Sequence, residues 1–274
     1  MVKFVSDKQQ TLKTFTENNC AQASFAWSYL LKNKEIKVNG KKIQQDVVLQ
    51  AGDEVCYYLT EKQQEKKAFH VVYQDENVMI VDKESGVNAE AVFAELSRSF
   101  ENCQFIHRLD RNTQGLMAFA FGEKAEKELL NAFKERRVEK IYHALCFGKP
   151  KEDEGVLTAY LKKDESQSLV RVYDVPINGA EKIITEYKVL ETRESVSKLE
   201  IRLHTGKTHQ IRAHLSHVGC PIVGDMKYGD KERNKGLKRA RQCLVAKSIC
   251  FAFTGELSYL NGKRFQSRFD VDFI

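Results

Sequence analysis

Apolar residues recur along this chain with two different periods, and the changes of period divide it. Over 11–19 and 24–34 they fall three and four apart, which predicts two short helices. Phe25, Ala26, Tyr29 and Leu30 then share one face, with Ser24 as N-cap. Next, Ile36-Lys37-Val38-Asn39-Gly40-Lys41 predicts a strand running into an Asn-Gly hairpin turn. Leu49-Gln50-Ala51-Gly52-Asp53-Glu54-Val55 predicts a tight turn entering a further strand. Residues 1–60 therefore read as a small helix-helix-sheet module. Residues 61–67 (EKQQEKK) are wholly charged or amide, and 61–68 read as a charged, solvated linker.

From residue 69 onward strands predominate. They are predicted at 69–73 and 78–82, around a turn at Asp75-Glu76-Asn77, and again at 116–121, 140–147, 183–190 and 198–204. Helices are predicted at 89–100, 123–136 and 209–217. In the last, Ile211, Leu215 and Val218 fall on the buried side, and Arg212, about 100° round from Ile211, falls at its edge. No internal repeat or low-complexity tract breaks 69–274, which reads as one domain. The predicted class is α+β: a mixed, largely antiparallel sheet with flanking helices, preceded by the small module.

Composition adds little but excludes some classes. With 42% hydrophobic residues among 274, the chain can bury an ordinary core. A net charge of +6 suits a polyanionic partner without demanding one. The seven cysteines are odd in number and have no CxxC spacing, so they read as reduced core residues of a cytoplasmic protein. No apolar run approaches the roughly 20 residues of a membrane span, and Met1-Val2-Lys3-Phe4 opens no signal-peptide core.

Three segments concentrate chemistry. The first is His107-Arg108-Leu109-Asp110-Arg111-Asn112-Thr113-Gln114-Gly115-Leu116, an acid between two arginines just ahead of an apolar strand. Nearby cations would keep that carboxylate ionised and nucleophilic. The plainer alternative is a loop carboxylate capping backbone amides. The second runs from Leu203-His204-Thr205-Gly206-Lys207-Thr208-His209 through Gln210-Ile211-Arg212-Ala213-His214-Leu215, where the planar fork of Arg212 can reach a carboxylate or phosphate. The third is Val138-Glu139-Lys140-Ile141-Tyr142-His143-Ala144-Leu145; strand alternation puts Lys140, Tyr142 and Ala144 on one side and Ile141, His143 and Leu145 on the other. Tyr142 either packs or offers a platform for a flipped base.

His204, His209, His214 and His217 invite a metal. Their spacings of five, five and three stack no pair at i, i+4, and no zinc-protease carboxylate accompanies them, so no metal is expected. The basic run 231–241 (KERNKGLKRAR) reads equally as a solvated face or a loop that tracks phosphates.

Taken in order, these segments resemble the RluA family of RNA pseudouridine synthases. His107-Arg108-Leu109-Asp110 with Thr113 and Gly115-Leu116 is similar to the family's catalytic loop. Lys140 with Tyr142 and Ala144-Leu145 is similar to its tyrosine strand. Thr205 to Arg212, then Gly219-Cys220-Pro221-Ile222-Val223-Gly224-Asp225 and Lys227-Tyr228-Gly229, is similar to its C-terminal signature. The resemblance covers residues 69–253. Residues 1–60 resemble the alpha-L RNA-binding motif shared with a ribosomal protein, through Leu12, Leu30-Leu31, Val38-Asn39-Gly40-Lys41 and Gly52-Asp53-Glu54-Val55, although 1–67 contain no arginine. Departures are Gln114 for serine, Lys207 for arginine, Lys83-Glu84-Ser85-Gly86 for Lys-Pro-x-Gly, and Cys220 for histidine.

The resemblance implies an enzyme that isomerises uridines in ribosomal or transfer RNA. Asp110 would be the essential acid, Arg212 its ion-pair partner, and Tyr142 the stacking residue that helps the proton leave carbon 5. Arg108 would fill the gap left by the flipped nucleotide, with His107, Thr113, Lys140, Lys207 and His209 as further substrate contacts. The same base leaves the ribose through one atom and rejoins it through another, so no cofactor is implied. Addition of Asp110 to the sugar and formation of a glycal both stay open. The chain is expected to act as a monomer. The rival reading is a non-catalytic RNA-binding or ribosome-assembly protein on the same scaffold, which loss of Asp110, Tyr142 or Arg212 would favour; all three are present.

Overall fold

A computed structural model describes residues 1–164, 169–237 and 241–273. The N-terminal part contains β1 (Val2–Val5), β2 (Gln10–Thr11), α1 (Leu12–Asn19), α2 (Ala21–Phe25), α3 (Trp27–Lys32), β3 (Ile36–Val38), β4 (Lys41–Ile43), β5 (Val48–Leu49) and β6 (Glu54–Tyr57). Four of these strands form a sheet in the order β1-β6-β3-β4, and β2 pairs with β5. The Asn-Gly turn joins β3 to β4, with Asn39 at φ 49° and Gly40 at φ 77°, the left-handed pair that a two-residue hairpin needs.

The second predicted helix is broken in two, and Ser24 is not its cap: it lies buried inside α2, and the chain bends at Ala26. The bend serves two cores. Leu30 enters the module's own core with Leu12, Phe15 and Tyr57, whereas Phe25 packs against the core of the larger domain. One straight helix cannot aim both. Tyr29, expected on the buried face, is half exposed at 50%. The charged linker is mostly exposed over 61–67, but Ala68 is buried in the core of the larger domain, and the segment is not structureless. Thr60 and Gln63 cap each other's amides reciprocally and start α4 (Glu61–Gln64).

The larger domain is built on β7 (Phe69–Gln74), β8 (Val78–Lys83), β9 (Cys103–Phe105), β10 (Gln114–Phe121), β11 (Val138–Phe147), β12 (Glu154–Asp164), β13 (Leu169–Tyr173), β14 (Glu181–Arg193), β15 (Val196–Leu203), β16 (Leu244–Phe251) and β17 (Arg264–Gln266). These pair into one sheet, β13-β12-β14-β15-β11-β16-β10-β8-β7, with β17 added to β16 and β9 to β10. All pairings are antiparallel except β10 with β16, so the α+β expectation holds. Its helices are α5 (Ala89–Ser99), α6 (Glu123–Lys134), α7 (Gln210–His217) and α8 (Lys231–Gly236).

Alternation along β10 explains why both faces are covered. Met117 and Phe119 join a core with Val92 and Leu96 of α5, while Leu116, Ala118 and Ala120 join one with Leu129 of α6. β12 and β16 were not legible from period. The buried positions of β12 include Ala159, too small to mark a stripe, and β16 is apolar on both faces, a pattern that helix and strand share. Part of the basic run is helical: Asp230 caps α8 by accepting from the Arg233 amide at 3.0 Å, and 238–240 lie outside the described residues.

Gly115 fixes how the sheet meets the loop at 106–113. It has φ 111°, and a Cβ there would lie 2.3 Å from the Ala246 carbonyl oxygen, so only glycine lets β10 run this close to β16. The N-terminal module docks beside the same loop. Glu17 pairs with Arg111 at 2.5 Å, and Asn88 donates to Asn18 at 2.9 Å. Among the described residues no helix is long and apolar enough to cross a membrane.

Candidate active site

A cleft of about 330 Å³ opens where the 106–113 loop, β11 and the start of α7 meet, and its walls carry His107, Arg108, Asp110, Thr113, Lys140 and Tyr142. Lys207, His209 and Arg212 complete it, so the fold brings all nine expected site residues together.

The two arginines beside Asp110 in sequence do not hold it. Arg108 is exposed and reaches Glu90 at 3.2 Å, and Arg111 turns to Glu17 and to the Gly86 carbonyl. The cation at Asp110 is Arg212, whose Nη1 donates to Oδ2 at 2.8 Å. Arg212 is buried rather than at the edge of α7, while Val218, expected to be buried, is 40% exposed past the end of the helix. The helix rotates toward Asp110 because a second carboxylate receives the rest of the guanidinium. Arg212 Nε and Nη2 donate to the two oxygens of Asp225 at 2.7 and 3.0 Å. Asp225, fully buried, also accepts from the amides of Lys227 at 2.8 Å and Tyr228 at 3.1 Å.

Burial opposes charge on both partners, but the mutual bonds outweigh it: the pKa of Arg212 is raised and that of Asp225 lowered. The pair is thus a charged clamp, with one edge of the guanidinium left for Asp110. Asp225 was visible only as one letter of the C-terminal signature. An acid directly after Gly224, in an otherwise apolar stretch, is the signal that marks it.

The loop bearing Asp110 is pinned from below. The Lys83 ammonium is fully buried and donates to the carbonyls of Glu84 at 2.9 Å, Val87 at 2.8 Å and Arg111 at 3.1 Å. Burial pulls its pKa down to about 7, partly opposed by the charge of Asp110. Thr113 accepts from the Gln242 side chain at 2.9 Å. His107 forms part of the cleft wall, yet its Nε2 accepts from the Ala118 amide at 3.0 Å and its ring stacks 4.6 Å from that of Phe133. Burial, with help from the Lys140 charge, lowers its pKa to about 3, so the ring is neutral. Neither Lys83 nor Gln242 is singled out by spacing: Lys83 bonds backbone carbonyls, which every residue carries, and Gln242 meets Thr113 from 129 residues away.

On the far wall Gln210 anchors the turn ahead of α7, bonding Thr205, Thr185 and the Lys207 amide. That turn leaves His209 at φ 55°, an uncommon conformation for a residue with a Cβ, and directs its ring at Asp110. His209 Nδ1 meets the Tyr228 hydroxyl at 2.8 Å, and Nε2 stands 3.9 Å from Asp110 Oδ2. Because that hydroxyl already accepts from the Val170 amide at 2.9 Å, its own proton is available for Nδ1. Lys207 itself pairs with Glu181 at the cleft mouth. The four histidines weighed as metal ligands turn to four different partners: Glu186, Tyr228, Thr185 and Asp174.

Tyr142 faces the cleft from β11 beside Lys140, as strand alternation expects. Burial, then the charge of Asp110, push its phenol pKa up, so the hydroxyl stays protonated. The arrangement is a carboxylate fixed by a clamped arginine, facing an aromatic ring across a space open to solvent.

Residues 28–217 match the protein family described as RNA pseudouridylate synthase. The ribosomal large subunit pseudouridine synthase C of Rickettsia conorii is 30% identical over 231 residues, covering 74% of this chain and 76% of the relative. The protein of the same name from Vibrio parahaemolyticus is 31% identical over 247 residues, covering 81% and 77%. Among solved structures, human RNA pseudouridylate synthase domain containing 1 superposes with a TM-score of 0.59 at 26% identity, covering 72% of this chain and 88% of that one. By these matches and by its ordered motifs, the chain belongs to the RluA family of RNA pseudouridine synthases and isomerises uridine to pseudouridine in RNA.

Proposed function

We propose that Asp110 is the carboxylate at which the base–ribose bond of the target uridine breaks and re-forms, and that the RNA is ribosomal RNA of the large subunit. The observation that carries the catalytic assignment is the bond from Arg212 to Asp110, backed by Asp225. A carboxylate held at one point before substrate arrives needs no reorganisation during the reaction. The substrate class rests on the names of the Rickettsia and Vibrio relatives, which favour ribosomal over transfer RNA.

In this reading the uridine leaves its helix and enters the cleft, where the ring of Tyr142 stacks on the uracil. The bond from C1′ to N1 breaks, the base turns, and C1′ bonds to C5. The C5 proton is lost and N1 gains one, so atoms and electrons balance with no outside reagent. Asp110 serves either by adding to C1′, as a retaining glycosidase carboxylate does, or by taking the C2′ proton to form a glycal. Burial raises the pKa of the Tyr142 phenol, which favours the neutral hydroxyl while the ring stacks. Arg108, His107, Thr113, Lys140, Lys207 and His209 complete the substrate-contacting wall. Residues 1–60 are read as an accessory RNA-binding module, and the chain as a cytoplasmic monomer that works without a cofactor.

The test uses RNA labelled with tritium at C5 of uridine, since isomerisation releases that hydrogen to water. Asp110→Asn is expected to melt like wild type and to release none. Pseudouridine mapping in cells carrying the intact gene, no gene, or Asp110→Asn should lose the same large-subunit site in both altered strains. Release by a folded Asp110→Asn removes Asp110 from its role, and a site lost from transfer RNA instead overturns the substrate assignment.

A further inference from the structure

The cleft does not end at Lys140. A groove of about 670 Å³, twice the 330 Å³ of the cleft, continues from it and shares Phe133, Lys140, Leu203, Gly206 and Lys207 as common wall. A cleft sized for one flipped nucleotide therefore opens into space for its neighbours in the strand.

The charges of this groove are unevenly engaged. Glu139 bonds both Arg202 and Arg264, so on that wall one acid is shared by two cations. Lys134 at the end of α6 and Arg136 just beyond it are exposed, and neither has an acidic partner among the described residues. Arg136 has φ 58°, the left-handed conformation that a helix C-terminus usually gives to glycine or asparagine. The third cation, Lys140, stands at the neck between cleft and groove. Its ammonium is held only over the Phe133 ring, 5.4 Å from the centroid, with no carboxylate in reach among the described residues. Gly206 makes room for it: a Cβ there would lie 3.2 Å from Lys140 Nζ. Partial burial lowers the Lys140 pKa, as expected of a cation with no counter-charge of its own.

We propose that this groove seats the RNA strand flanking the target uridine, gripping its phosphodiester backbone through Lys134, Arg136 and Lys140. The assignment rests on the cleft being the uridine site, because the neck makes the two continuous. Three cations lining one channel, left without acids, supply what a polyanionic strand needs, and Lys140 is placed for the phosphate next to the flipped nucleotide. Such contacts position the strand without reading its sequence.

The experiment measures equilibrium binding of fluorescein-labelled oligo(U) to the full chain carrying Asp110→Asn, so that turnover does not intervene. Affinity is followed across a salt series. Adding Lys134→Ala and Arg136→Ala is expected to weaken binding about tenfold and to flatten the slope of log K against log salt by about 1.4, at roughly 0.7 per lost phosphate contact. Lys124→Ala with Lys127→Ala removes the same charge from the other end of α6, outside the groove, and serves as the control. Unchanged affinity and slope in the Lys134/Arg136 variant overturns the proposal, as does an equal loss in the control. Absence of salt-dependent binding by the parent overturns it too, since a backbone grip requires no particular sequence. Tritium release by Asp110→Asn is read separately, so a failed groove and a failed catalytic assignment give different results.

Discussion

The cations that fix the loop of Asp110 and the unpaired cations of the groove beside it are held in opposite ways. In the cleft every cation that touches the loop of Asp110 is bonded by the protein: Arg212 by two carboxylates and Lys83 by three carbonyls. Both are buried. In the groove Lys134 and Arg136 are exposed and have no acidic partner among the described residues. Bonded, buried charge is rigid and little screened by salt, and so suits a transition state that tolerates no reorganisation. Exposed, mobile charge attracts a polyanion but positions it loosely and is screened. The difference separates the measurements: substitutions behind the cleft should change turnover, and those in the groove should change affinity and its salt dependence.

The largest expected effect tests the cleft half of that division. Asp225 touches no substrate in this reading; it is a positioning residue that acts through Arg212. Asp225→Ala strands a buried guanidinium, and removing one partner of such a pair costs about 3–5 kcal/mol of stability. Asp225→Asn keeps the shape and loses the charge, so it is the variant for kinetics. Its kcat should fall by about 100-fold, with KM for RNA changed little, because the lost interaction orients Asp110 rather than binding substrate. If folded Asp225→Asn turns over within twofold of wild type, the clamp is only structural. A loss confined to KM would move Asp225 to the affinity side of the comparison.

The same contrast explains what was legible in the sequence. Helix α6 follows from period because it has one buried face; β10, buried on both, shows only as a short apolar run bounded by Gly115 and Gly122. Asp110, Tyr142 and Arg212 stand out by residue type in ordered motifs. What the chain order hides is which charge meets which. Arg108 and Arg111 flank Asp110 and look like its counter-ions, yet the partner is Arg212, 102 residues away, because both neighbours point out of the loop. Lys83 looks like a surface lysine at the end of a strand until three carbonyls close over it. The groove is hidden for the converse reason. Lys134 and Arg136 form no motif, and only the approach of β15 and the Gly206 turn makes them part of a channel.

Tyr142 lies on the border between packing and binding, and two variants sharpen its place. Tyr142→Phe keeps the ring and should bind RNA close to the parent level in the Asp110→Asn background. Tyr142→Ala should lose the stacking contribution, about 1–3 kcal/mol per base, or roughly five- to 150-fold in affinity. Melting curves are needed beside the binding data, since the ring is only 8% exposed and its loss also leaves a cavity. Equal RNA affinity in the two variants, whatever their stability, would make Tyr142 a core residue that happens to face the cleft.

The smallest effect concerns His107, counted among the substrate contacts and found with its Nε2 already engaged by the Ala118 amide. Its folded pKa is lowered to about 3 from the usual 6.5. Below pH 6.5 the unfolded chain therefore takes up a proton that the native ring refuses, so stability falls with pH until about pH 3, where the native ring protonates as well. His214, lowered to about 4, contributes with the same sign, so the wild-type profile alone does not isolate His107. The comparison with His107→Gln does, because glutamine can still accept from the Ala118 amide but does not titrate. Urea melts should show the stability advantage of wild type over this variant narrowing by about 1–2 kcal/mol between pH 6.5 and 5. An advantage that stays constant over that range would mean that His107 takes up protons in the native state as readily as in the unfolded one. The imidazole would then be open to the cleft and able to meet an RNA phosphate as a cation, and His107 would join the mobile charges of the groove instead of the fixed groups behind Asp110.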